Sequence, residues 1–303
     1  VMLIGASGYL GRHVRDRAAV AGLDVVTAGR SPLPDSRAHC QVDLAADPPA
    51  TLAAAFAEHA PDVVVNCAGA TGGDVAALAA ANVTGTASLV TALRRTGRSI
   101  RLVHLGSAAE YGPSEPGTAV TETDPARPAG TYGATKLAGT RLVELGRATG
   151  LDAVVLRVFN PVGPGAPESI LPGRLVGELR RAAAGGDVVL GALDAVRDFV
   201  DARDVADAVI ASALAPALPA AVINIGSGTG VPVRTLVREL VAISGYDGPV
   251  TEQAAPDRSG SGSASWQQAD IGRARRDLDW QPRRSLAASV ADLWEDCCAP
   301  APG

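Results

Sequence analysis

The segment Gly5-Ala6-Ser7-Gly8-Tyr9-Leu10-Gly11 places three glycines directly after an apolar run, Val1-Met2-Leu3-Ile4. The apolar run predicts a buried parallel strand, and residues 12–21 predict the helix after it. In the turn between them, the free N–H groups and the dipole of the helix can hold a phosphate. Glycine is needed where a Cβ would block the turn or the ligand. We therefore predict cofactor contacts from Gly5, Ser7, Gly8, Tyr9, Leu10 and Gly11; the alternative is an ordinary glycine-rich turn.

The end of the next predicted strand, residues 24–28, indicates which dinucleotide is bound. About 20 positions after the glycine turn, such folds meet the adenosine ribose, where an acid selects NAD and an arginine accommodates the 2′-phosphate of NADP. Arg30 and Ser31 stand there, and no acid lies between Arg30 and Asp35. A guanidinium also pairs with phosphate better than an ammonium does. We predict NADP(H), with NAD(H) disfavoured; the other interpretation of Arg30 is a solvated side chain.

Strands and helices alternate through the first half of the chain. Residues 41–44, 63–69 and 100–105 predict strands, and residues 51–60, 74–97 and 132–149 predict helices. This alternation is typical of an α/β fold, a Rossmann-type doubly wound parallel sheet. Ligands bind such sheets at the carboxyl ends of the strands. We therefore place Asp43 and Leu44 beside the adenine, and Ala68 and Gly69 where small residues let the cofactor approach.

Composition and charge narrow the classes of ligand. The 303 residues carry a formal net charge of −5 without a sustained basic run, which argues against a nucleic-acid partner. No apolar run reaches the ~20 residues of a membrane span and no leader is evident, so we expect a cytoplasmic protein without a membrane partner. The cysteines and histidines lack metal-ligand spacing, so no metal is predicted. Because the chain begins inside a predicted strand, we expect a few native residues before Val1.

Ser107, Tyr132 and Lys136 have the chemistry of an acid–base site. Tyr132 and Lys136 are four residues apart on a predicted helix, so they share one face. Tyrosine has an ordinary pKa of about 10, which a neighbouring cation can lower. Ser107 comes just past the fifth strand; it lacks a G-x-S-x-G context and no histidine follows it, which excludes a hydrolase triad. A Y-x-x-x-K pair alone also occurs by chance, so these catalytic assignments depend on the other motifs in the chain.

Further motifs follow in order along the chain. They are Asn66-Cys67-Ala68-Gly69, Arg157-Val158-Phe159-Asn160-Pro161-Val162-Gly163-Pro164-Gly165, Arg197-Asp198-Phe199-Val200-Asp201 with Asp204, and Asn224-Ile225-Gly226-Ser227-Gly228. With the glycine turn and Ser107, Tyr132 and Lys136, they resemble the extended short-chain dehydrogenases/reductases (NAD(P)-dependent epimerase/dehydratase family), most of all the nucleotide-sugar 4-ketoreductases. The resemblance covers nearly the whole chain. Val162 departs from it, because a tyrosine is usual there.

The resemblance implies two lobes that are discontinuous in sequence. Residues 1–165 plus about 198–226 would form the dinucleotide-binding domain. Residues from about 166–197 plus 227–303 would form a smaller substrate-binding lobe. A homodimer through the two long predicted helices is also implied.

The resemblance also assigns further site residues. Asn160, Arg197 and Arg258 would hold the diphosphate of a nucleotide-sugar substrate, although each could instead be a structural polar residue. The cofactor site would also include Asn82, in the long helix, and Phe159. The register at Arg258 is open because serines and glycines surround it.

The implied function is NADPH-dependent reduction of a nucleotide-diphosphate 4-keto-6-deoxy sugar to the 4-hydroxy sugar, a step of deoxysugar biosynthesis. Tyr132 would give its proton to the carbonyl oxygen, Lys136 would lower the tyrosine pKa and hold the nicotinamide ribose, and Ser107 would polarise the carbonyl. The main alternative is a nucleotide-sugar epimerase, which Arg30 disfavours because NADP serves net reduction. A 4,6-dehydratase is disfavoured because Ala108-Ala109 replace the usual Asp-Glu pair. A non-catalytic NADP-binding protein is disfavoured by the intact catalytic residues.

Overall fold

The computed structural model describes residues 1–33, 36, 38–183, 186–253 and 266–298. Within them the strands are β1 (Met2–Ile4), β2 (Val26–Gly29), β3 (His39–Gln41), β4 (Val63–Asn66), β5 (Arg101–Ser107), β6 (Ala153–Val158), β7 (Asn160–Val162), β8 (Val188–Leu190), β9 (Val196–Asp201), β10 (Val222–Ile225), β11 (Gly230–Pro232) and β12 (Val250–Glu252). The α-helices are α1 (Tyr9–Val20), α2 (Pro49–His59), α3 (Val75–Ala79), α4 (Gly85–Arg95), α5 (Thr131–Ala148), α6 (Leu171–Ala182), α7 (Ala202–Leu214), α8 (Val233–Ser244), α9 (Gly272–Leu278) and α10 (Leu286–Cys298).

A parallel sheet of seven strands confirms the predicted doubly wound α/β fold. Its strand order is β3-β2-β1-β4-β5-β6-β10, so the direction of winding reverses between β1 and β4. A ligand crevice forms at such a reversal, outside the carboxyl ends of the strands. The glycine turn after β1 and the small residues after β4 therefore meet at one place. The third strand begins and ends earlier than predicted, so that Asp43 and Leu44 follow it.

Each strand buries side chains on both faces of this sheet. In β4, Val63 and Val65 pack into the core under α1 and α7, whereas Val64 packs into the core under α2 and α4. Successive side chains of a strand point to opposite faces, and a strand covered on both faces must be apolar throughout. The three consecutive valines are the reason that this strand can lie in the middle of the sheet.

The predicted helix over residues 74–97 forms as α3 and α4 joined by a π-helical turn, Ala80–Thr84. By length and composition alone, Val75–Arg95 could cross a membrane, contrary to our expectation that no segment would. Its apolar residues have a second explanation, because Leu89, Ala92 and Leu93 are buried in the core beneath the sheet. A π turn inserts one residue into the helix, and such turns often lie at functional sites.

A second apolar core lies beside the large sheet. Strands β7, β9 and β11 form one small sheet and β8 pairs with β12, and helices α6, α8 and α10 pack on them. Val162, at the position where a tyrosine was expected, is 1% exposed in this core. The larger core also takes residues from the end of the chain, since Ala274, Leu278 and Trp280 pack in it. These three side chains thus pack with the large sheet, although the prediction assigned residues 227–303 to the smaller lobe. The exact division into two lobes stays a prediction.

Two buried aspartates of the Arg197–Asp204 motif hold loops in place. Asp198 accepts hydrogen bonds from the N–H groups of Ser227, Gly228 and Ala269 at 2.5 to 3.0 Å. Asp204 accepts the N–H groups of Arg283 and Arg284, both at 3.0 Å. A buried carboxylate is tolerated only when its oxygens are paired in this way. Asp198 and Asp204 therefore stabilise the backbone of these loops.

We expect Asp198→Ala to lower the free energy of unfolding by about 3 kcal/mol or more. The substitution leaves three backbone N–H donors without their acceptor, and each unsatisfied buried donor costs about 1–3 kcal/mol. Denaturant unfolding measures this change. A loss below about 1 kcal/mol, the size of an ordinary surface substitution, would contradict the assignment.

Candidate active site

A cavity of about 390 Å³ opens at the carboxyl ends of β1, β2 and β4. Eight predicted cofactor residues line it: Gly5, Ser7, Gly8, Arg30, Asp43, Leu44, Ala68 and Gly69. Ala70, Ala81 and Cys67 complete the wall near β4. The sequence therefore located this cavity correctly from the glycine turn, the end of β2 and the end of β4.

The glycine turn can take this shape only without side chains. Gly5 has φ of 80°, a conformation that favours glycine, and a Cβ on it would lie 2.6 Å from the N atom of Ala68. A Cβ on Gly11 would overlap the carbonyl oxygen of Gly5. Helix α1 thereby begins close against the turn, with Gly8 as its N-cap residue and no acidic side chain in its first turn. This cradle fits the pyrophosphate of a dinucleotide, because the helix dipole there favours an anion.

Arg30 lies at one end of this cavity, next to the ends of strands β2 and β3. The residue is exposed and, among the described residues, pairs with no acid. The Asp43 carboxylate accepts the N–H of Ala45 at 3.0 Å, so it is used in its own turn. Arg30 is thus free to meet an anionic group.

Several predicted cofactor residues are not among those that line the cavity, and their contacts with a cofactor stay predictions. The Tyr9 hydroxyl donates to the Gly163 carbonyl oxygen at 3.3 Å, and its ring packs on the smaller core. Phe159 is fully buried in a separate apolar cluster with Tyr111. Leu10 packs against the core under α1 and α7, and neither it, Gly11 nor Ser31 lines the cavity. For these residues the structure shows packing roles or gives no contact with the cavity.

Asn82 has a supporting role in this structure. From the π-helical turn, its side chain accepts the N–H of Ala70 at 3.0 Å and donates to the carbonyl oxygen of Ala70 at 2.9 Å. It also donates to the Thr135 hydroxyl at 3.1 Å. Asn82 therefore joins the segment after β4 to helix α5, and its polar atoms are used within the protein.

Ser107, Tyr132 and Lys136 converge beside the cavity. Ser107 is the last residue of β5, and Tyr132 and Lys136 lie one turn apart in α5. The Ser107 side chain lies near enough to the Tyr132 hydroxyl to lower the pKa of the phenol. The Lys136 ammonium donates to the Leu105 carbonyl oxygen at 2.5 Å. A Cβ on Gly69 would lie 3.8 Å from Lys136 Nζ, so the lysine reaches the wall of the cavity.

Burial sets the proton affinities of this group. Burial raises the pKa of the Tyr132 phenol, and it is the largest influence. The Ser107 side chain lowers this pKa, whereas the negative charge of Glu110 raises it. Burial lowers the pKa of the Lys136 ammonium, and Glu110 and Cys67 oppose that effect. The phenol is therefore protonated at neutral pH. Lys136 is not among the groups that shift this pKa, so the prediction that the lysine lowers the pKa of Tyr132 is wrong for this structure. A protonated phenol near a serine hydroxyl can still protonate and polarise a carbonyl oxygen.

The predicted substrate residues lie in the region between the two cores. Asn160 donates to the Asp198 carbonyl oxygen and to Gln267 Oε1, both at 3.0 Å. Arg197 is half-buried and, in the described part of the chain, bonds only the Val196 carbonyl oxygen. Burial lowers the pKa of its guanidinium, which is the cost of a cation that has no carboxylate partner. Arg258 lies outside the described residues.

Two residues near the site were missed by the sequence analysis. Glu110 caps the turn that begins at Ser107, and the S-x-x-E spacing of a capping box could have indicated it. Gln267 contacts Asn160 from a segment more than 100 residues away, and no local pattern indicates that contact. Across the described ranges, no group of three His, Cys, Asp or Glu side chains could hold a metal ion.

Known proteins resemble this chain over its whole length. It is 39% identical, over 97% of its residues and 94% of the relative, to a dTDP-6-deoxy-L-talose 4-dehydrogenase (NAD(P)(+)) of Kitasatospora kifunensis. The structure of MoeE5 with UDP-glucuronic acid and NAD superimposes with a TM-score of 0.85 at 28% identity, covering 98% of both chains. That of RMD from Pseudomonas aeruginosa with NADPH gives 0.81 at 25% identity, covering 97% of both.

The sequence also matches a family over most of its length. Residues 1–226 match the NAD dependent epimerase/dehydratase family. This range contains the cavity-lining residues and all three candidate catalytic residues. The chain belongs to the NAD dependent epimerase/dehydratase family, as its glycine turn and its Ser107, Tyr132 and Lys136 indicated.

Proposed function

We propose that the protein reduces a nucleotide-diphosphate 4-keto-6-deoxy sugar to the 4-hydroxy sugar with NADPH. The observation that carries the proposal is the convergence of Ser107, at the end of β5, with Tyr132 of α5, while Lys136 of the same helix reaches the wall of the cofactor cavity. The Kitasatospora relative is named for oxidation at the same carbon, which is this reaction in reverse. Its name also favours thymidine as the nucleoside of the substrate.

Each residue of the site has a separate role in this reaction. When bound, the nicotinamide cofactor supplies the hydride. Tyr132 donates its proton to the carbonyl oxygen of the sugar, and Ser107 donates a hydrogen bond that holds and polarises that oxygen. Lys136, at the wall of the cavity, would hold the ribose of the nicotinamide. Arg197, which pairs with no acid among the described residues, is suited to hold the substrate diphosphate. Asn160 is less suited to that role, because both hydrogens of its amide group are already donated within the protein.

Ala108 and Ala109 support reduction over water elimination. They form the first residues of the short helical turn Ala108–Glu110 that follows Ser107. Their methyl groups offer no acid or base near the reacting carbon. A dehydratase requires both groups, so the site is suited to hydride and proton transfer alone.

The direct test is to incubate purified protein with NADPH and a dTDP-4-keto-6-deoxyhexose. We expect one NADPH oxidised for each 4-hydroxy sugar formed, followed by absorbance and by chromatography of the sugar nucleotide. A rearranged sugar formed without loss of NADPH would establish the epimerase instead. No reaction with this or with the GDP- and UDP-linked sugars would refute the proposal.

Arg30 is expected to select NADP over NAD. Arg30→Asp removes a charge-assisted contact worth about 1.5–3 kcal/mol, which corresponds to about a 10- to 100-fold loss in kcat/KM with NADPH. The kcat/KM with NADH should stay the same or rise. Arg238→Asp, an equal charge change at an exposed position of α8, is the control. An unchanged NADPH-to-NADH preference would remove Arg30 from cofactor selection.

A further inference from the structure

Glu110 is a fully buried carboxylate that the chemistry proposed above does not use. Its side chain is 0% exposed, and it ends the short turn that begins after Ser107. A buried charge lowers stability unless its oxygens are paired. The contacts of Glu110 therefore indicate why a charge is retained there.

One oxygen of Glu110 closes a reciprocal pair of hydrogen bonds with Ser107. The Ser107 N–H donates to Glu110 Oε1 at 2.8 Å, and the Ala109 N–H donates to the Ser107 hydroxyl oxygen at 3.2 Å. This is a capping box. Among the described residues the Ser107 hydroxyl accepts this N–H and donates to no other group. Its O–H is therefore available as a hydrogen-bond donor to the carbonyl oxygen of a substrate or to the Tyr132 hydroxyl oxygen.

The other oxygen of Glu110 is fixed from the neighbouring strand. Arg157 Nε on β6 lies 2.8 Å from Glu110 Oε2, and the Arg157 guanidinium carbon lies 4.5 Å from the centre of the Tyr111 ring. The Tyr111 hydroxyl donates to Asn224 on β10 at 2.7 Å. Three strands thus hold one carboxylate in place.

Gly106 provides the space for this arrangement. A Cβ at Gly106 would lie 2.7 Å from Glu110 Oε1 and 2.8 Å from Val155. Both distances are shorter than a carbon atom tolerates. The glycine before Ser107 therefore lets the carboxylate fold back beneath β5.

We propose that Glu110 is a positioning residue, which fixes the Ser107 hydroxyl as a hydrogen-bond donor toward the reacting group. This inference rests on the proposed reductase function for its kinetic consequences. A structural role alone would not require that the capped residue be the one whose side chain lies near the Tyr132 phenol.

The charge of Glu110 also reaches the proton donor. It raises the pKa of both Tyr132 and Lys136. Arg157 and Tyr111 are the charged and titratable groups beside Glu110. Cys67, just after β4, and His104 from β5 lie near Lys136. Removing the negative charge should lower the pKa of Tyr132. The phenol would then lose its proton at lower pH. The loss of activity on the alkaline side of the rate profile should therefore also begin at lower pH.

The test compares Glu110→Gln, which keeps an acceptor for the Ser107 N–H, with Glu110→Ala, which does not. We expect kcat to fall about tenfold in the alanine variant and less in the glutamine variant, with KM for NADPH within about twofold of wild type. The alkaline limb of Glu110→Gln should lie at lower pH than that of the native protein. The control is Asp204→Asn, a buried carboxylate that also caps backbone N–H groups and pairs with an arginine, Arg284. It should lower stability without moving the pH profile.

A substrate-free measurement separates this inference from the proposed function. The ultraviolet difference between the native protein and Tyr132→Phe follows ionisation of Tyr132, and its midpoint should also fall in Glu110→Gln. If the single variants fold poorly, Glu110→Gln with Arg157→Met leaves no unpaired buried charge and should show the same shift. An unchanged midpoint, or an alanine variant with native kcat, would overturn the inference. Failure of the native protein to oxidise NADPH would count against the proposed function only, because the titration needs no substrate.

Discussion

Tyr132→Phe should lower kcat at least ~100-fold, since a positioned general acid contributes typically 10²–10⁴-fold. The substitution removes only the hydroxyl, which lies near the Ser107 side chain. Water is a poor replacement, because Tyr132 is half-buried and water is not held in position by the protein as the phenol is. Lys136 bonds the Leu105 carbonyl oxygen and would remain in place. Binding of NADPH should therefore stay within about twofold of wild type while turnover is lost.

Tyr246→Phe is the matched control for this variant. The Tyr246 hydroxyl bonds the carbonyl oxygens of Gly186 and Pro249, each at 3.1 Å, and lies in the smaller part of the molecule. Its loss should leave kcat unchanged. Reduction needs the protonated phenol, so the native enzyme should lose activity as the pH rises through the pKa of Tyr132. Turnover of Tyr132→Phe within tenfold of native would assign the proton to another group.

Sequence periodicity was informative where local rules decide the structure. The apolar runs at residues 1–4 and 63–65 could only be buried strands, and the four-residue spacing of Tyr132 and Lys136 placed them on one helix face. Arg30 was located by counting from the glycine turn, because the length of a βαβ unit is nearly fixed. Arg30 and the glycine turn meet at the cavity because the strand order brings the ends of β1 and β2 together.

Long-range contacts decide the side-chain positions that local sequence patterns do not give. The direction of the Tyr9 ring depends on Gly163, which is 154 residues away. The Asn82 side chain points toward Ala70 and Thr135 because a π-helical turn shifts it by one position, and helical periodicity assumes no such turn. Phe159 follows a buried strand, and no pattern tells which of two apolar neighbourhoods its ring enters. In each case the residue was near the site, but the partner that fixes its side chain was distant in sequence.

Gly11→Ala should weaken NADPH binding at least ~100-fold, the loss expected when the helix terminus and turn that together hold a phosphate move apart. A methyl group at this position would overlap the Gly5 carbonyl oxygen and lie 3.0 Å from Ala6 Cα. Both obstacles are backbone atoms, so no side chain can move aside. Gly5 cannot retreat either, because it adopts φ of 80° against Ala68. The start of α1 must therefore shift away from the turn that it caps.

Thermal unfolding with and without NADPH measures both consequences of this shift. Overpacking of this kind costs about 1–3 kcal/mol, so the Tm of Gly11→Ala should fall even without cofactor. A ligand raises Tm only in proportion to its binding, so the increase that NADPH causes in the native protein should be lost. The control is Gly191→Ala, because a Cβ there meets no atom within 4 Å. If Gly11→Ala keeps the native increase of Tm with NADPH, the turn is not the part of the protein that holds the cofactor, and the position of α1 relative to β1 would lose its functional meaning.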